Sequence, residues 1–175
     1  MSYQKTYTYQ EVHDLLCESE GRPSPKSKQD GHAIGLHADG REDITHRNKT
    51  VLILAETIEQ SRRMDPKNGV RIENKWAPGV DSRFTSRADM VKALYQAINS
   101  GAGQSLLQQF DVNKSQKEAK KVIPLAKPIP RIERFTKSTG AIERGLFAHA
   151  VFLYILRLGS GVHLQTFYPS DVRTS

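Results

Sequence analysis

The stretch AHAVFLYILRLGSGVHLQTFYP, residues 148–169, decides the fold. Its two runs, 148–158 and 162–169, are rich in β-branched and aromatic side chains, and the first run is almost wholly apolar. The short link between them is Gly-Ser-Gly, which is typical of a turn between two strands. The stretch therefore predicts a β-hairpin with an apolar first strand.

A short helix is predicted upstream, in TYQEVHDLLCESEG (8–21). Thr8 and Glu11 have the spacing of a capping box, in which each side chain satisfies a backbone N–H at the start of a helix. Gly21 stands at the predicted end of this helix, where glycine is common. The predicted apolar stripe of this helix is Val12, Leu15 and Leu16.

The clearest predicted helix is FTSRADMVKALYQAINSG (84–101). Ser86 and Asp89 have the spacing of a second capping box, and Gly101 stands where a helix ends. Apolar and aromatic residues recur at helical spacing after the cap, so this face is predicted to be buried. The predicted buried stripe is Val91, Leu94, Tyr95 and Ile98.

The remaining segments are less regular. Residues 49–63 have helical spacing, although Leu52–Ile53 leave a short strand open, and 64–82 carry the turn signals of a small hairpin or loop. Residues 105–110 predict another turn or two of helix. The segment 111–140 is basic and holds three prolines, which rule out a helix there and favour edge strands or extended loop.

Helices come before the sheet in this order, so the predicted class is α+β, with N-terminal helices packed on a C-terminal twisted antiparallel sheet. The length of 175 residues fits one domain with tails. The segment 21–31 is rich in Pro, Ser, Gly and Lys and reads as a linker. We therefore divide the chain into a helix and linker, 1–29, and a main domain, 30–175.

Charge and composition narrow the function. The formal net charge is +7, which favours a polyanionic partner such as nucleic acid, an anionic membrane surface or an acidic protein. Cys17 is the only cysteine, so an internal disulfide and a cysteine-based zinc cluster are excluded. The start has no apolar region of the secretory type, and the longest apolar run, 150–156, is too short to span a bilayer. These features predict a cytosolic working compartment.

Histidines and arginines concentrate in DGHAIGLHADGREDITHR, residues 30–47. His32 and His37 would stand about 140° apart around a helix, which is poor geometry for chelation, and no HExxH pattern is present. We therefore predict no metal here. Histidine exchanges protons near neutral pH and arginine grips phosphate, so the pair supplies the minimum for cutting RNA without metal. A solvated surface loop is the alternative.

A second candidate group lies in HLQTFYPSD, near the end of the chain. Thr166 and Tyr168 are two residues apart, so in a strand both side chains point to one face. A hydroxyl and a phenol side by side suit phosphate hydrogen bonding and proton handling. An ordinary solvated face is the alternative. His163 is opposite in phase to Thr166 and is expected to face away.

Three patches together resemble a known family. They are GHAIGLHADG (31–40) followed by THR (45–47), then SRFTSRADMVKALYQAIN (82–99), then LQTFYPSD (164–171). The chain resembles the bacterial RNase A-like toxin domains found at the C-termini of contact-dependent growth-inhibition proteins and other polymorphic toxins. The segment 135–157 is also similar to the part that leads into the final hairpin, so the resemblance covers roughly 30–171.

The resemblance implies a compact α+β nuclease fold of the group shared with barnase-like and EndoU-like toxins. It implies a metal-independent ribonuclease that needs no cofactor, with tRNA as the usual substrate class. It implies a cognate immunity protein as partner, no membrane partner for the mature domain, and action in the cytoplasm of the target bacterium after delivery. The segment 61–82 looks like an insertion relative to the family.

The resemblance also implies roles for individual residues. His37 matches the family's catalytic histidine and would act as general base, or as acid in a role-reversed version. Arg47 matches the catalytic arginine that stabilises the transition state, although its offset from His37 is one residue short, and Arg41 is the second choice. Thr166 would hydrogen-bond a non-bridging phosphate oxygen, and Tyr168 would orient the phosphate or protonate the leaving oxygen.

Several assignments stay open. His32 is either a second acid/base or a structural tie. Tyr95 and Trp76 are candidates for stacking on a base, with core burial favoured for Tyr95. The basic residues of the proline-bearing segment form either a track for the RNA backbone or a solvated loop; they are Lys114, Lys117, Lys120, Lys121, Lys127 and Arg131. The predicted RNA-binding residues are Lys120, Lys121 and Arg131, together with Arg41 from the histidine-rich stretch.

Two other functions compete with the ribonuclease. A non-catalytic RNA- or DNA-binding protein would keep the +7 charge and would need none of the catalytic residues. Salt-dependent binding without cleavage would support it. A metal-dependent nuclease is the third reading, and activity that survives EDTA would count against it.

Overall fold

The computed structural model describes residues 2–20, 41–46, 49–54, 80–136 and 141–175, and of 41–46 and 49–54 it describes the backbone. The helices are α1 (Tyr9–Ser19), α2 (Arg87–Asn99) and α3 (Gly101–Val112). The strands are β1 (Arg41–His46), β2 (Lys49–Leu54), β3 (Val80–Phe84), β4 (Glu118–Thr136), β5 (Ala141–Leu158) and β6 (Gly161–Arg173). These helices and strands make an α+β fold, as the sequence predicts.

The main sheet has four antiparallel strands in the order β3-β4-β5-β6. The hairpin predicted at 148–169 is confirmed, and its strands run further, from the Leu158↔Gly161 pair at the turn to the Phe147↔Arg173 pair. Gly159 in the turn has φ +56°, a left-handed conformation that glycine adopts without a steric penalty. This hairpin is the part of the sheet from which the candidate site is built.

The proline-bearing segment forms β4, the longest strand. β3 pairs with its last five residues, 132–136, so within the described ranges residues 118–131 have a strand neighbour on one side, which is β5. Pro124, Pro128 and Pro130 all fall in this part, where a missing N–H breaks no ladder on the open side. The prediction of an edge strand is confirmed for 118–131. The prediction that no helix forms in this segment holds for residues 113–136, while Asp111 and Val112 are the last two residues of α3.

The helices begin at side chains that accept hydrogen bonds from their first turns. Both halves of the Thr8–Glu11 capping box are present at α1. At α2 the Ser86 side chain accepts a hydrogen bond from the Asp89 N–H at 3.1 Å, but the Asp89 carboxylate binds Arg131. α3 extends over twelve residues, which confirms and lengthens the helix predicted at 105–110.

One hydrophobic core joins the three helices to one face of the main sheet. Leu16 of α1, Leu94 of α2 and Phe110 of α3 are fully buried in it. Two aromatic rings from the sheet, Phe84 and Phe167, stack there with centroids 5.7 Å apart. Apolar burial of this kind is the main favourable term in folding, and it fixes which face of β5 and β6 remains for function.

Two predictions about the elements need correction. The first six residues of the helix predicted at 49–63 form the strand β2, which pairs with β1 in a separate two-stranded sheet, so the alternative of a short strand at Leu52–Ile53 is the one confirmed. Tyr95 is 38% exposed, because the neighbouring Met90, Ala93 and Ala97 complete the buried face of α2 in its place. The segment predicted as a hairpin or loop around Val70–Trp76 lies outside the described residues.

α1 belongs to the same core as the sheet. The Ser19 hydroxyl accepts a hydrogen bond of 2.9 Å from the backbone N–H of Leu164 in β6. Residues 2–4 are fixed by the Asp111 carboxylate, which accepts bonds of 2.8 to 3.1 Å from Ser2, Tyr3 and Gln4. The boundary predicted at residue 29 lies outside the described residues. In the described ranges, no helix is both long and apolar enough to cross a membrane.

The end of α3 is held by Arg157 of β5. Its guanidinium donates hydrogen bonds to the backbone oxygens of Phe110, Asn113 and Gln116 at 2.5, 3.0 and 2.9 Å. It also lies over the Tyr3 ring, with 4.8 Å from Cζ to the ring centroid. Carbonyls at a helix C-terminus have no partner inside the helix. The guanidinium of Arg157 carries five N–H donors, and it can therefore satisfy several backbone oxygens in this region at once.

Arg157→Lys is expected to lower the free energy of unfolding by about 2–3 kcal/mol, because a single ammonium cannot reach all of these acceptors. Arg144→Lys is the matched control on the same strand: Arg144 is 55% exposed and pairs with Glu133 at 3.0 Å. Exposed pairs contribute roughly 0–1 kcal/mol, so this change should cost little. Urea denaturation of both variants measures the difference, and equal midpoints would contradict the role given to Arg157.

Candidate functional site

The residues predicted to do chemistry fall into two sets. His32, His37 and Arg47 lie outside the described residues. Arg41 is the first residue of β1, where its backbone pairs with Leu54. Thr166 and Tyr168 are both described, and β6 carries them.

Thr166 and Tyr168 lie on the face of the sheet that points away from the helices. Phe167, between them, is fully buried in the core, so the alternation of strand side chains turns its two neighbours outward. Across the sheet, Thr166 pairs with Tyr154 and Tyr168 pairs with Phe152. The prediction that the hydroxyl and the phenol share one face agrees with this register.

A bulge in β6 changes the phase of the residues before Thr166. Tyr154 pairs with Thr166 but Ile155 pairs with Leu164, so Gln165 is the extra residue. Leu164 and Phe167 both reach the core, one on each side of the bulge. His163 therefore lies on the same face as Thr166 and is 1% exposed, so the expectation that it faces away is wrong.

We call the surface formed by Lys120, Phe152, Tyr154, Thr166 and Tyr168 the outer face. The Phe152 and Tyr168 rings stack with centroids 4.9 Å apart and an interplanar angle of 23°. The ammonium of Lys120 lies 5.6 Å from the centroid of the Tyr154 ring. Aromatic rings beside a cation on a sheet face are a common arrangement for stacking bases and contacting phosphates.

Lys120 and Lys121 are both predicted RNA-binding residues, but their side chains lie on opposite faces of the sheet. Lys120 pairs with Tyr154, whose side chain is on the outer face. Lys121 pairs with Leu153, whose side chain is in the core. Because neighbouring residues of a strand point to opposite faces, Lys121 lies on the helix side of the sheet. It is not placed to contact a ligand bound on the outer face.

The two phenols of the outer face differ in their partners. The Tyr154 hydroxyl donates a hydrogen bond of 2.5 Å to the Glu118 carboxylate, and burial together with this acid raises the pKa of Tyr154 to about 12. Burial also raises the pKa of Tyr168 from its ordinary value of 10.0. Both phenols are therefore protonated at neutral pH and can donate hydrogen bonds.

The Thr166 hydroxyl is unusual. Its Oγ1 is buried and has no hydrogen-bond partner within the described part of the chain. Most buried polar side-chain atoms in native proteins are paired, and an exception calls for an explanation such as a catalytic or ligand-binding role. Thr166 thus offers a donor and an acceptor beside Tyr168, at the position where the sequence predicts contact with a phosphate oxygen.

Arg131, another predicted RNA-binding residue, has a structural partner. Its guanidinium binds the Asp89 carboxylate through both nitrogens Nε and Nη2, at 2.8 to 3.1 Å. The Asp89 side chain is buried while that of Arg131 is 64% exposed. Arg131 also has φ +61°, in the left-handed region that non-glycine residues adopt rarely and at a cost in strain.

Sequence reasoning missed the aromatic part of the outer face. Phe152 and Tyr154 stand two apart in a run that reads as wholly apolar, and only the pairing with β6 shows which residues of that run point outward. The described ranges hold no group of three or more His, Cys, Asp or Glu side chains that could bind a metal ion.

Comparison with known proteins gives no relative: no family model, no curated protein and no solved structure matches this chain.

Proposed function

We propose that the protein is a metal-independent endoribonuclease that cleaves RNA by transphosphorylation. The observation that carries the proposal is the outer face, where the buried, unpaired Thr166 hydroxyl lies beside the protonated phenol of Tyr168. The stacked Phe152 and Tyr168 rings and the exposed Lys120 supply contacts for a base and a phosphate. The net charge of +7 favours a polyanionic substrate.

The proposed chemistry begins at the 2′-hydroxyl of the RNA. His37 removes its proton, the 2′-oxygen forms a bond to the adjacent phosphorus, and the bond from phosphorus to the 5′-oxygen breaks. Tyr168 protonates the departing 5′-oxygen. Arg47 and the Thr166 hydroxyl stabilise the charge on the non-bridging oxygens. The products are a 2′,3′-cyclic phosphate and a 5′-hydroxyl, and His37 and Tyr168 regain their protonation states from water.

The biological setting is part of the same proposal and rests on the resemblance in sequence. The fold would be that of the barnase-like and EndoU-like toxin nucleases, and the substrate would be tRNA in the cytoplasm of a target bacterium. A cognate immunity protein would block the outer face. An acidic surface on that partner would complement the basic charge of this chain.

The test is incubation of the purified protein with total bacterial tRNA in EDTA, beside His37→Ala. The wild type is expected to produce fragments with 2′,3′-cyclic phosphate ends, and His37→Ala is expected to produce none above background. A melting curve of each protein separates loss of chemistry from loss of folding. Cleavage that stops in EDTA would refute metal independence, and a His37→Ala variant with full activity would remove His37 from the mechanism.

A non-catalytic RNA-binding protein is the second candidate, because stacked aromatic rings and a lysine on a sheet bind single strands without any chemistry. This candidate predicts that the protein binds tRNA in a salt-dependent way and that the tRNA stays intact. Intact tRNA after prolonged incubation, together with such binding, would favour this candidate over the ribonuclease.

A further inference from the structure

A second surface with features of a nucleic-acid site lies between α2 and β4. A groove of about 510 Å³ opens there, which is within the roughly 300–1,000 Å³ range of small-molecule sites. Tyr9 of α1 also lines it. We call it the tyrosine groove and define it by Tyr9, Lys92, Tyr95, Gln96, Lys127 and Arg131, with Pro128 and Pro130 on its β4 side.

The wall formed by β4 is fixed to α2. The Gln96 side chain accepts a hydrogen bond from the backbone N–H of Lys127 at 2.8 Å and donates one to its backbone oxygen at 3.2 Å. These two bonds replace a strand partner at the point where β4 shifts register between Pro124 and Ile129. The bidentate contact between Arg131 and Asp89 fixes the same wall a few residues later. The groove is therefore built before any ligand arrives.

Its charge is positive. Three cationic side chains line it, those of Lys92, Lys127 and Arg131, against the single carboxylate of Asp89. That carboxylate is buried and bound by Arg131, and Lys92 lies 3.8 Å from it. The Lys92 side chain is 57% exposed, and Lys127 is exposed. The groove thus has an excess of positive charge at its surface, which complements an anionic ligand.

The other side of the tyrosine groove is formed by aromatic rings. The Tyr9 and Tyr95 rings are in contact, with centroids 5.6 Å apart and an interplanar angle of 50°. Both are solvent-accessible, at 47% and 38%. Burial, and next the charge of Asp89, raise the pKa of Tyr9, so its phenol stays neutral and can stack or donate a hydrogen bond at pH 7. Exposed paired aromatics beside lysines are suited to a planar base with an attached phosphate.

We propose that the tyrosine groove binds one nucleotide unit of single-stranded RNA, with the base against Tyr9 and Tyr95 and the phosphate at Lys92 and Lys127. The choice of RNA as ligand rests on the proposed function, but the groove is separate from the outer face. Lys120 of the outer face and Lys127 of the groove lie seven residues apart on β4. An RNA strand that occupies both surfaces therefore runs along the 118–131 part of β4, which pairs with β5.

The test measures binding of a fluorescent 2′-O-methyl oligouridylate of roughly ten nucleotides, within the usual site sizes of about 4–16 nucleotides. This probe lacks the nucleophile and cannot be cut, so binding is measured apart from cleavage. Tyr95→Ala and the double variant Lys92→Ala, Lys127→Ala are each expected to raise Kd by about 5-fold or more, the effect of losing one stacked base or its phosphate contacts. Tyr95→Phe keeps the ring and should bind nearly as the wild type does.

Lys5→Ala is the control for loss of a lysine outside the groove, removing one charge where the double variant removes two, since the Lys5 side chain is 49% exposed, close to the 57% of Lys92, and does not line the groove. It should leave Kd nearly unchanged, and melting curves check that each variant is folded. Unchanged affinity in the Tyr95 and lysine variants, or an equal loss in Lys5→Ala, would overturn the proposal and leave the groove to another occupant, such as an acidic protein. Groove-dependent binding by a protein that never cleaves RNA would uphold the groove and refute the ribonuclease.

Discussion

Tyr168→Phe is expected to slow RNA cleavage by about 10²-fold or more, the usual contribution of a general acid or base. The change removes one oxygen and keeps the ring, so the stack of 4.9 Å on Phe152 remains and RNA affinity should be nearly unaltered. What is lost is the proton donor for the departing 5′-oxygen. Single-turnover cleavage of a labelled tRNA measures the rate without interference from product release.

Tyr154→Phe is the matched control for this experiment. Tyr154 is two residues from Phe152, and its hydroxyl is already bound to Glu118 at 2.5 Å. Its loss should leave the cleavage rate close to that of the wild type. If Tyr154→Phe and Tyr168→Phe slow cleavage equally, the effect comes from the sheet and not from proton transfer. If Tyr168→Phe cleaves at the wild-type rate, the phenol takes no part in the chemistry.

The pH profile supplies a separate check. Burial raises the pKa of Tyr168 above 10.0, so the phenol is in its donor form across the neutral range and loses its proton only beyond the ordinary tyrosine range. As the acid, it should leave cleavage insensitive to pH on the alkaline side up to about pH 10. A fall in rate well below that value, absent in Tyr168→Phe, would contradict the raised pKa.

The second large effect concerns stability. Gly103→Ala is expected to destabilise the protein by about 3 kcal/mol, because overpacking a core costs about 1–3 kcal/mol and backbone atoms cannot move aside as side chains do. A Cβ at Gly103 would lie 2.0 Å from the backbone oxygen of Ala97 and 2.9 Å from Cα of Ile98, both in α2. α2 and α3 are joined by Ser100 alone, so their close approach requires glycine at this position.

Gly101→Ala is the control, since a Cβ there meets nothing within 4 Å. It stands at the start of α3, where alanine reduces the freedom of the unfolded chain and adds about 0.4–1 kcal/mol of stability. The two variants should therefore move the thermal midpoint in opposite directions, by roughly 6–12 °C downward for Gly103→Ala. A Gly103→Ala protein that melts with the wild type would show that α2 and α3 are not packed this closely.

Local sequence signals predicted much of this fold. The Thr8–Glu11 capping box and the hairpin at 148–169 depend on residues close together in the chain, and both are confirmed. Tyr95 was misplaced because its spacing from Val91 puts it at the margin of the helical stripe, where a long side chain can turn outward. Its partner there, Tyr9, comes from another helix, which helical periodicity cannot reveal.

The candidate site was predictable only in part. Thr166 and Tyr168 could be placed on one face because they are two apart in a predicted strand. The bulge at Gln165, which brings His163 to that same face, leaves no signal in a single sequence. The stacking of Phe152 on Tyr168 depends on the register between two strands, and that register is set by the whole hairpin.

The prolines of β4 have a consequence for solubility. Among the described residues, 118–131 has a strand neighbour on one side only, and a long strand of this kind normally offers its backbone N–H groups to any passing strand, which leads to edge-to-edge aggregation. In 118–131 three of the fourteen residues are proline and have no N–H to offer, and the exposed Lys120, Lys121 and Lys127 add repulsion between copies. Gln96 also occupies both backbone groups of Lys127. This part of β4 can therefore stay accessible to a ligand without becoming a template for fibrils.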